Sequence, residues 1–114
     1  MAITETYTNS NSIGSTEFSL PAVSTTLSTL TTSGVYQVFI DTGNMAAGDQ
    51  YKIRIYEKVT SGGTKREIYA ATLTGAMTDN WVSPSLILMN GWDVTVQKLA
   101  GTDRSFGWSI RQVA

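Results

Sequence analysis

Asp41, Asn44 and Asp49 bracket one loop, and side-chain oxygens at a turn are what a hard cation such as calcium takes as ligands. Their spacing is not the tight alternation of a calcium loop, and Asp, Gly and Asn are equally the residues of a plain turn, so no metal site is expected. A pair of carboxylates working on a glycosidic bond needs a cleft between them, and 114 residues leave little chain to build one. Serines abound, but there is no histidine to activate one and no Gly-x-Ser-x-Gly elbow. With no cysteine, thiolate chemistry, zinc–thiolate sites and disulfides drop out together. Gly62-Gly63-Thr64-Lys65 has part of a phosphate loop, yet the full spacing is absent and no helix follows. The inventory predicts a chain that is not an enzyme and carries no cofactor.

The tryptophans divide into two kinds. Trp92 and Trp108 share a face with Val94, Val96 and Ile110 and read as core. Trp81 follows Thr78-Asp79-Asn80 at a loop-to-strand junction. There it is a candidate ligand platform for sugar stacking, an interface anchor, or a lid over one end of the core.

Charge narrows the partners. Eight basic residues are scattered among nine acidic ones, for a formal net charge of −1. No basic stripe of the kind that tracks a phosphate backbone is visible, so nucleic acid is not an expected partner. The longest apolar run, Leu86-Ile87-Leu88-Met89, is too short to span a bilayer. The polar start MAITETYTNSNS lacks the basic and apolar regions of a signal peptide, so no membrane association or export is expected.

The residues that would position any site favour strands. Thr, Ser, Val, Ile and Tyr recur, only 15% of residues are charged, and helix formers never gather at helical spacing. Residues 1–16 read as a polar, extended N-terminal arm, partly strand, and residues 17–114 as one domain. In Val35–Asp41, Tyr36, Val38 and Ile40 share one face while Val35, Gln37 and Phe39 share the other. In Gln50–Val59, Tyr51, Ile53 and Ile55 oppose Lys52, Arg54 and Lys58, the alternation of a half-buried antiparallel strand. A two-residue Gly62-Gly63 loop sets Lys58 opposite Glu67 and Tyr56 opposite Tyr69, avoiding the like-charge pairs of a three-residue loop. Asn90-Gly91 is a strong hairpin signal and pairs Met89 with Trp92 and Ile87 with Val94. A last hairpin around Gly101-Thr102-Asp103 with an odd loop aligns Val94 and Val96 with Ile110 and Trp108. With about seven or eight strands and no covering helix, the fold class is all-β, an antiparallel β-sandwich of jelly-roll type.

In that register Ile87 and Met89 face the core, and Leu86 and Leu88 point outward. A strand apolar on both faces is covered on both, here either by the arm or by another protein. Val35 and Phe39 raise the same question on another strand. Large exposed apolar patches mark protein contacts.

The run Tyr51 to Val59, Ser61-Gly62-Gly63-Thr64, Trp81-Val82-Ser83-Pro84, Gly91-Trp92-Asp93, Gly101 to Ser105 and Trp108 to Arg111 resembles small structural proteins of tailed bacteriophages. Among these it resembles head decoration (cement) proteins. The resemblance implies a β domain made in the host cytoplasm, assembled as a homo-oligomer on the capsid surface of the virion, its partner the major capsid protein. The contact residues expected on this reading are Ile3 and Tyr7 in the arm and Leu86, Leu88 and Leu99 on the outer face. A carbohydrate-binding tail or adhesin module using Trp81, and a tail-tube or head-completion component, are the alternatives.

Overall fold

Alternation of apolar and polar side chains builds two sheets that close on each other. The computed structural model describes residues 2–113. Its strands are β1 (Ile3–Ile13), β2 (Phe18–Ser19), β3 (Gly34–Asp41), β4 (Gln50–Glu57), β5 (Arg66–Thr74), β6 (Trp81–Val82), β7 (Leu86–Leu88), β8 (Asp93–Ala100) and β9 (Arg104–Val113). The larger sheet runs β1-β9-β3-β6, with β7 also paired to β3; the smaller runs β2-β8-β4-β5. All pairs are antiparallel. The all-β, jelly-roll-like sandwich anticipated from alternation is the fold, and no helix occurs among the described residues.

Tyr36, Val38 and Ile40 of β3 meet Phe106, Trp108 and Ile110 of β9 on one inner face, and Tyr51, Ile53, Ile55, Val94 and Val96 supply the other. Trp92 is fully buried, with its ring 4.5 Å from Tyr36 and its indole N–H donated to the Thr32 carbonyl at 3.1 Å. Both tryptophans read as core are in it. β6 and β7 are two pieces of one strand along β3, parted at Ser83-Pro84. Proline cannot donate to a ladder, and the buried Ser83 hydroxyl accepts the Val38 N–H there at 2.9 Å.

Two expected hairpins are not hairpins. β7 pairs with β3 and β8 with β2 and β4, so Asn90-Gly91 carries the chain from one sheet to the other. Gly101-Thr102-Asp103 likewise links β8 to β9 across the sandwich, since β9 lies between β1 and β3. Val94 and Val96 do face Trp108 and Ile110, but across the core rather than side by side. The reason is steric: the two inner faces need each other, and a short connection crosses the roughly 10 Å between packed sheets as readily as it turns within one.

The β4–β5 hairpin has a different register from the one expected. Ile55 lies opposite Tyr69, a bulge follows, and Tyr56 and Glu57 then lie opposite Glu67 and Arg66. The like-charge clash is thus avoided by the extra residue of a bulge rather than by loop length. Beyond it, Lys58 leaves the ladder and its N–H is donated to the Asn90 carbonyl at 2.9 Å.

Residues 3–13 of the segment expected as an arm form β1, paired along its length with this chain's own β9. Tyr7 turns inward, edge-on to Trp92 at 6.2 Å, and Ile13 is fully buried. The Asp41–Asp49 loop has its oxygens committed internally. Asp41 accepts the Gly43 N–H at 3.0 Å, Asn44 donates to the Ser105 carbonyl at 2.9 Å, and buried Asp49 accepts Arg104 Nε at 2.7 Å. Asp49 also accepts the backbone N–H groups of Ala46 at 2.9 Å and Thr102 at 3.0 Å. Gly101, at φ +92°, passes so close that a Cβ would stand 2.2 Å from Asp49 Oδ1.

Two predictions follow from these contacts. The Ala46 N–H first, then Arg104 and Thr102, hold Asp49 well below its ordinary 3.8, at about 2. A carboxylate depressed on folding stabilises above its unfolded pKa and loses that contribution as pH falls through the folded one. Thermal midpoints of the wild type should therefore fall between about pH 4 and pH 2 more steeply than those of Asp49→Asn; parallel slopes would refute this. Gly101→Ala, meeting both the left-handed φ and the Asp49 contact, should lose at least about 2 kcal/mol in denaturant unfolding.

Candidate functional site

The sandwich has two outer faces, and they are finished differently. On the smaller sheet, the segment from Glu17 to Leu30 lies over β8. Asp93, fully buried, accepts hydrogen bonds from the Ser19 hydroxyl at 2.7 Å, the Ser28 hydroxyl at 2.7 Å and the Ser28 N–H at 3.0 Å. Glu17 accepts the Tyr56 hydroxyl at 2.5 Å and a bond from Thr95, with Arg54 3.7 Å away. Burial first, and that bond to Glu17 second, push the Tyr56 phenol up to about 12. Arg54 also donates to Gln97 at 2.6 Å. These polar groups are partnered by the chain itself, while Val23, Leu27, Ile68 and Leu99 of the same sheet and its flanking segment are exposed singly.

The larger sheet is the reverse. Because Tyr36, Val38 and Ile40 turn in, Val35, Gln37 and Phe39 turn out, and the register sets their neighbours. Ile87 of β7, Val35 of β3, Val113 of β9 and Ile3 of β1 stand opposite one another in turn, an aliphatic row across four strands. Ile87 is 76% exposed and Ile3 70%. The next row carries Gln37, Arg111 and Glu5, and the third Val82, Phe39 and Ser109.

Arg111 lies flat on Phe39, its guanidinium carbon 3.8 Å from the ring centroid. It donates from Nε to the Ser109 hydroxyl at 3.2 Å, and that hydroxyl donates to Glu5 at 2.5 Å. Among the described residues no carboxylate stands within 4.0 Å of the guanidinium. Beside it is a mostly apolar cleft of about 170 Å³, walled by Ile3, Val35, Phe39, Arg111 and Val113. On the far side of Phe39 a shallower, more polar cleft holds Asp41, Asn80 and Ser109.

Leu86 and Leu88 require a correction. Leu88 is 1% exposed and Leu86 packs against the core, while Ile87 and Met89 are the outward residues of that segment, Met89 at 52%. The expected parity came from an in-plane hairpin with Trp92; pairing with β3 instead sets Leu88 opposite Gly34 and Leu86 opposite the inward Tyr36. Both leucines are thus covered by this chain's own core. The strand is nevertheless apolar on both sides, with its two sets interchanged.

Of the other expected contact residues, Ile3 lies in the aliphatic row and Tyr7 in the interior. Leu99 is exposed near the end of β8, on the other sheet and at the opposite end of the sandwich from Ile87. Trp81 is half-buried opposite Ile40, its ring 6.4 Å from Tyr69 of the other sheet, closing the side of the core. Arg111, Val113 and Glu5 escaped the sequence reading, although Arg111-Gln112-Val113 alternates as a strand should. What the sequence withheld was the neighbour that brings them to Val35.

At the Gly34 end the apolar surface continues around the rim. Glu57 accepts the Met89 N–H at 2.5 Å, Asn90 donates to the Val59 carbonyl at 3.4 Å, and Val59 is 85% exposed. The row and this rim together expose Ile3, Ile87, Met89 and Val59.

No family model and no curated protein matches the sequence. Among solved structures, the Yersinia pseudotuberculosis-derived mitogen is similar, with TM-score 0.53 and 11% identity over 99% of this chain and 86% of its own. A TNF, Eiger, from S. frugiperda gives 0.49 and 14% over 97% and 88%, and the xylan-binding domain from CBM 22 gives 0.41 and 16% over 86% and 64%. At 11% identity the likeness to the mitogen is one of fold alone, and the sheet order makes the chain an antiparallel β-sandwich of jelly-roll type.

Proposed function

We propose that the protein is a non-enzymatic structural protein of a tailed-phage particle, one that binds the outer capsid and stabilises it by bridging subunits of the major capsid protein. The observation that carries this reading is the aliphatic row across the larger sheet, with Ile87 and Ile3 among the most exposed apolar side chains of the fold. Burying Ile87 and Met89 against a partner is worth roughly 1.5–3 kcal/mol each, enough to matter when the same contact repeats over a shell. Binding only the assembled shell shifts the assembly equilibrium by mass action. The sequence resemblance to head decoration proteins supplies the partner, and the capsid surface of the virion is the corresponding location.

A second reading, a carbohydrate-binding tail or adhesin module, draws on the cleft of Asp41, Asn80 and Ser109 beside Phe39. Its weakness is that Arg111 already occupies the Phe39 ring, while the half-buried Trp81 faces Tyr69. Glycan binding lost in Asp41→Ala and retained in Ile87→Asp would favour it over the capsid reading.

The test of the first reading uses particles prepared without this protein and titrated with it. Ile87→Asp combined with Met89→Asp should weaken particle binding at least about ten-fold, since burying an unpaired charge costs several kcal/mol. Both positions are exposed, so its thermal stability should stay within about 0.5 kcal/mol of wild type. Particles saturated equally by the variant and the wild type would remove the patch from the attachment surface.

A further inference from the structure

We propose that two copies of this chain pair through the outer face of the larger sheet, about a two-fold axis running between and parallel to β1 and β9. This rests on the assembly reading above and names the partner of one half of the same face.

The argument is self-complementarity. Ile3 and Glu5 point outward on β1, and directly beside them Val113 and Arg111 point outward on β9. A two-fold axis between those strands lays the Ile3 of each copy over the Val113 of the other, and each Glu5 over the other's Arg111. Ile3 then meets the apolar cleft, whose walls beyond it are Val35 and Phe39. Arg111 is held flat on Phe39 by its ring contact and its Nε bond to Ser109. The same copy's Glu5 reaches Arg111 only through the shared Ser109 hydroxyl, and with no described carboxylate within 4.0 Å its outer nitrogens are presented to a carboxylate arriving from above. Planar guanidinium and carboxylate form the paired hydrogen bonds that give such contacts their geometry.

Charge decides among the ways of stacking this face on itself. An axis along β9 would set Arg111 on Arg111, and one along β1 would set Glu5 on Glu5; like charges so placed cost several kcal/mol. Only the axis between the two strands joins opposite charges twice. Because β1 is the edge of the larger sheet, the overlap covers β1 and β9 of each copy and leaves β3, β6 and β7 outside it.

The symmetry has a consequence for attachment. Rotation about an axis parallel to the strands keeps both copies pointing the same way. The Met89 and Val59 rims of the two copies therefore lie at one end of the dimer, and β7 with Ile87 stays at its outer flanks.

The test is the mass of the full chain in solution, by sedimentation or light scattering, without particles. Wild type is expected to be a dimer. Glu5→Arg and Arg111→Glu should each weaken it at least about ten-fold, and the double reversal, Glu5→Arg with Arg111→Glu, should restore it. Ile3→Asp, at a largely exposed position that folding tolerates, should also give a monomer. A monomeric wild type, or single reversals as dimeric as wild type, overturns the proposal; a monomeric double reversal that still folds by circular dichroism overturns the Glu5–Arg111 pairing. The two readouts are separate. A wild-type dimer that ignores particles defeats the capsid reading alone, and a wild-type monomer that saturates them defeats the two-fold contact alone.

Discussion

The structure turns on β3 being hydrogen-bonded along both its sides. β9 pairs with it from Val35 to Asp41, and β7 and β6 pair with its other edge. A strand held in that way cannot rotate, so alternation sends Tyr36, Val38 and Ile40 into the core and leaves Val35 and Phe39 outside. Every outward neighbour inherits its place from this strand: Ile87 and Val113 beside Val35, Arg111 beside Gln37, Val82 and Ser109 beside Phe39. The apolar face is the other half of a decision made by the core, and no single residue could be turned inward without turning its neighbours out.

This division explains what could be read in the sequence. The inward sets of β3 and β4 follow from alternation within one segment, and so do the core positions of Trp92 and Trp108. The chain crossings do not. Asn90-Gly91 and Gly101-Thr102-Asp103 have the residues of tight turns, and a tight turn with alternating flanks looks the same whether the chain returns beside itself or steps to the facing sheet. An in-plane hairpin at the first sets the parity of Leu86 to Met89 from Trp92, which is the inverse of the parity in the fold. The true reference is the long-range pair of Leu88 with Gly34. Glu5, Arg111 and Val113 were hidden for the same reason: their meeting depends on joining the first strand to the last.

The contrast between the two outer faces is energetic as well as compositional. On the smaller sheet a buried carboxylate, Asp93, is matched by several donors, and Glu17, Tyr56, Arg54 and Gln97 complete one another. Removing the Ser19 or Ser28 hydroxyl leaves the fully buried Asp93 short of a donor, the costly direction of hydrogen-bond loss. That face is specified by folding. On the larger sheet Ile87 and Ile3 at the ends of the aliphatic row stay mostly in water, and Arg111 is ordered by an aromatic ring and a serine with no described carboxylate within 4.0 Å. Groups arranged in advance with nothing further to do in the folded chain carry a low ordering cost when a partner arrives.

A two-fold pair and a shell contact also need not compete for this face. The self-complementary charges lie toward β1 and β9, whereas Ile87, Met89 and Val59 lie toward β7 and the rim, so the patch divides along its own chemistry. In a pair whose axis runs parallel to the strands, both rims would face one way. A single weak apolar contact would thereby become two that engage one surface together, the second forming at the high effective concentration set by the first. Rigid spacing between the rims would make such a pair a clamp across neighbouring subunits. Bridging would then come from the symmetry of a small sandwich, with no need of a long arm to reach between them.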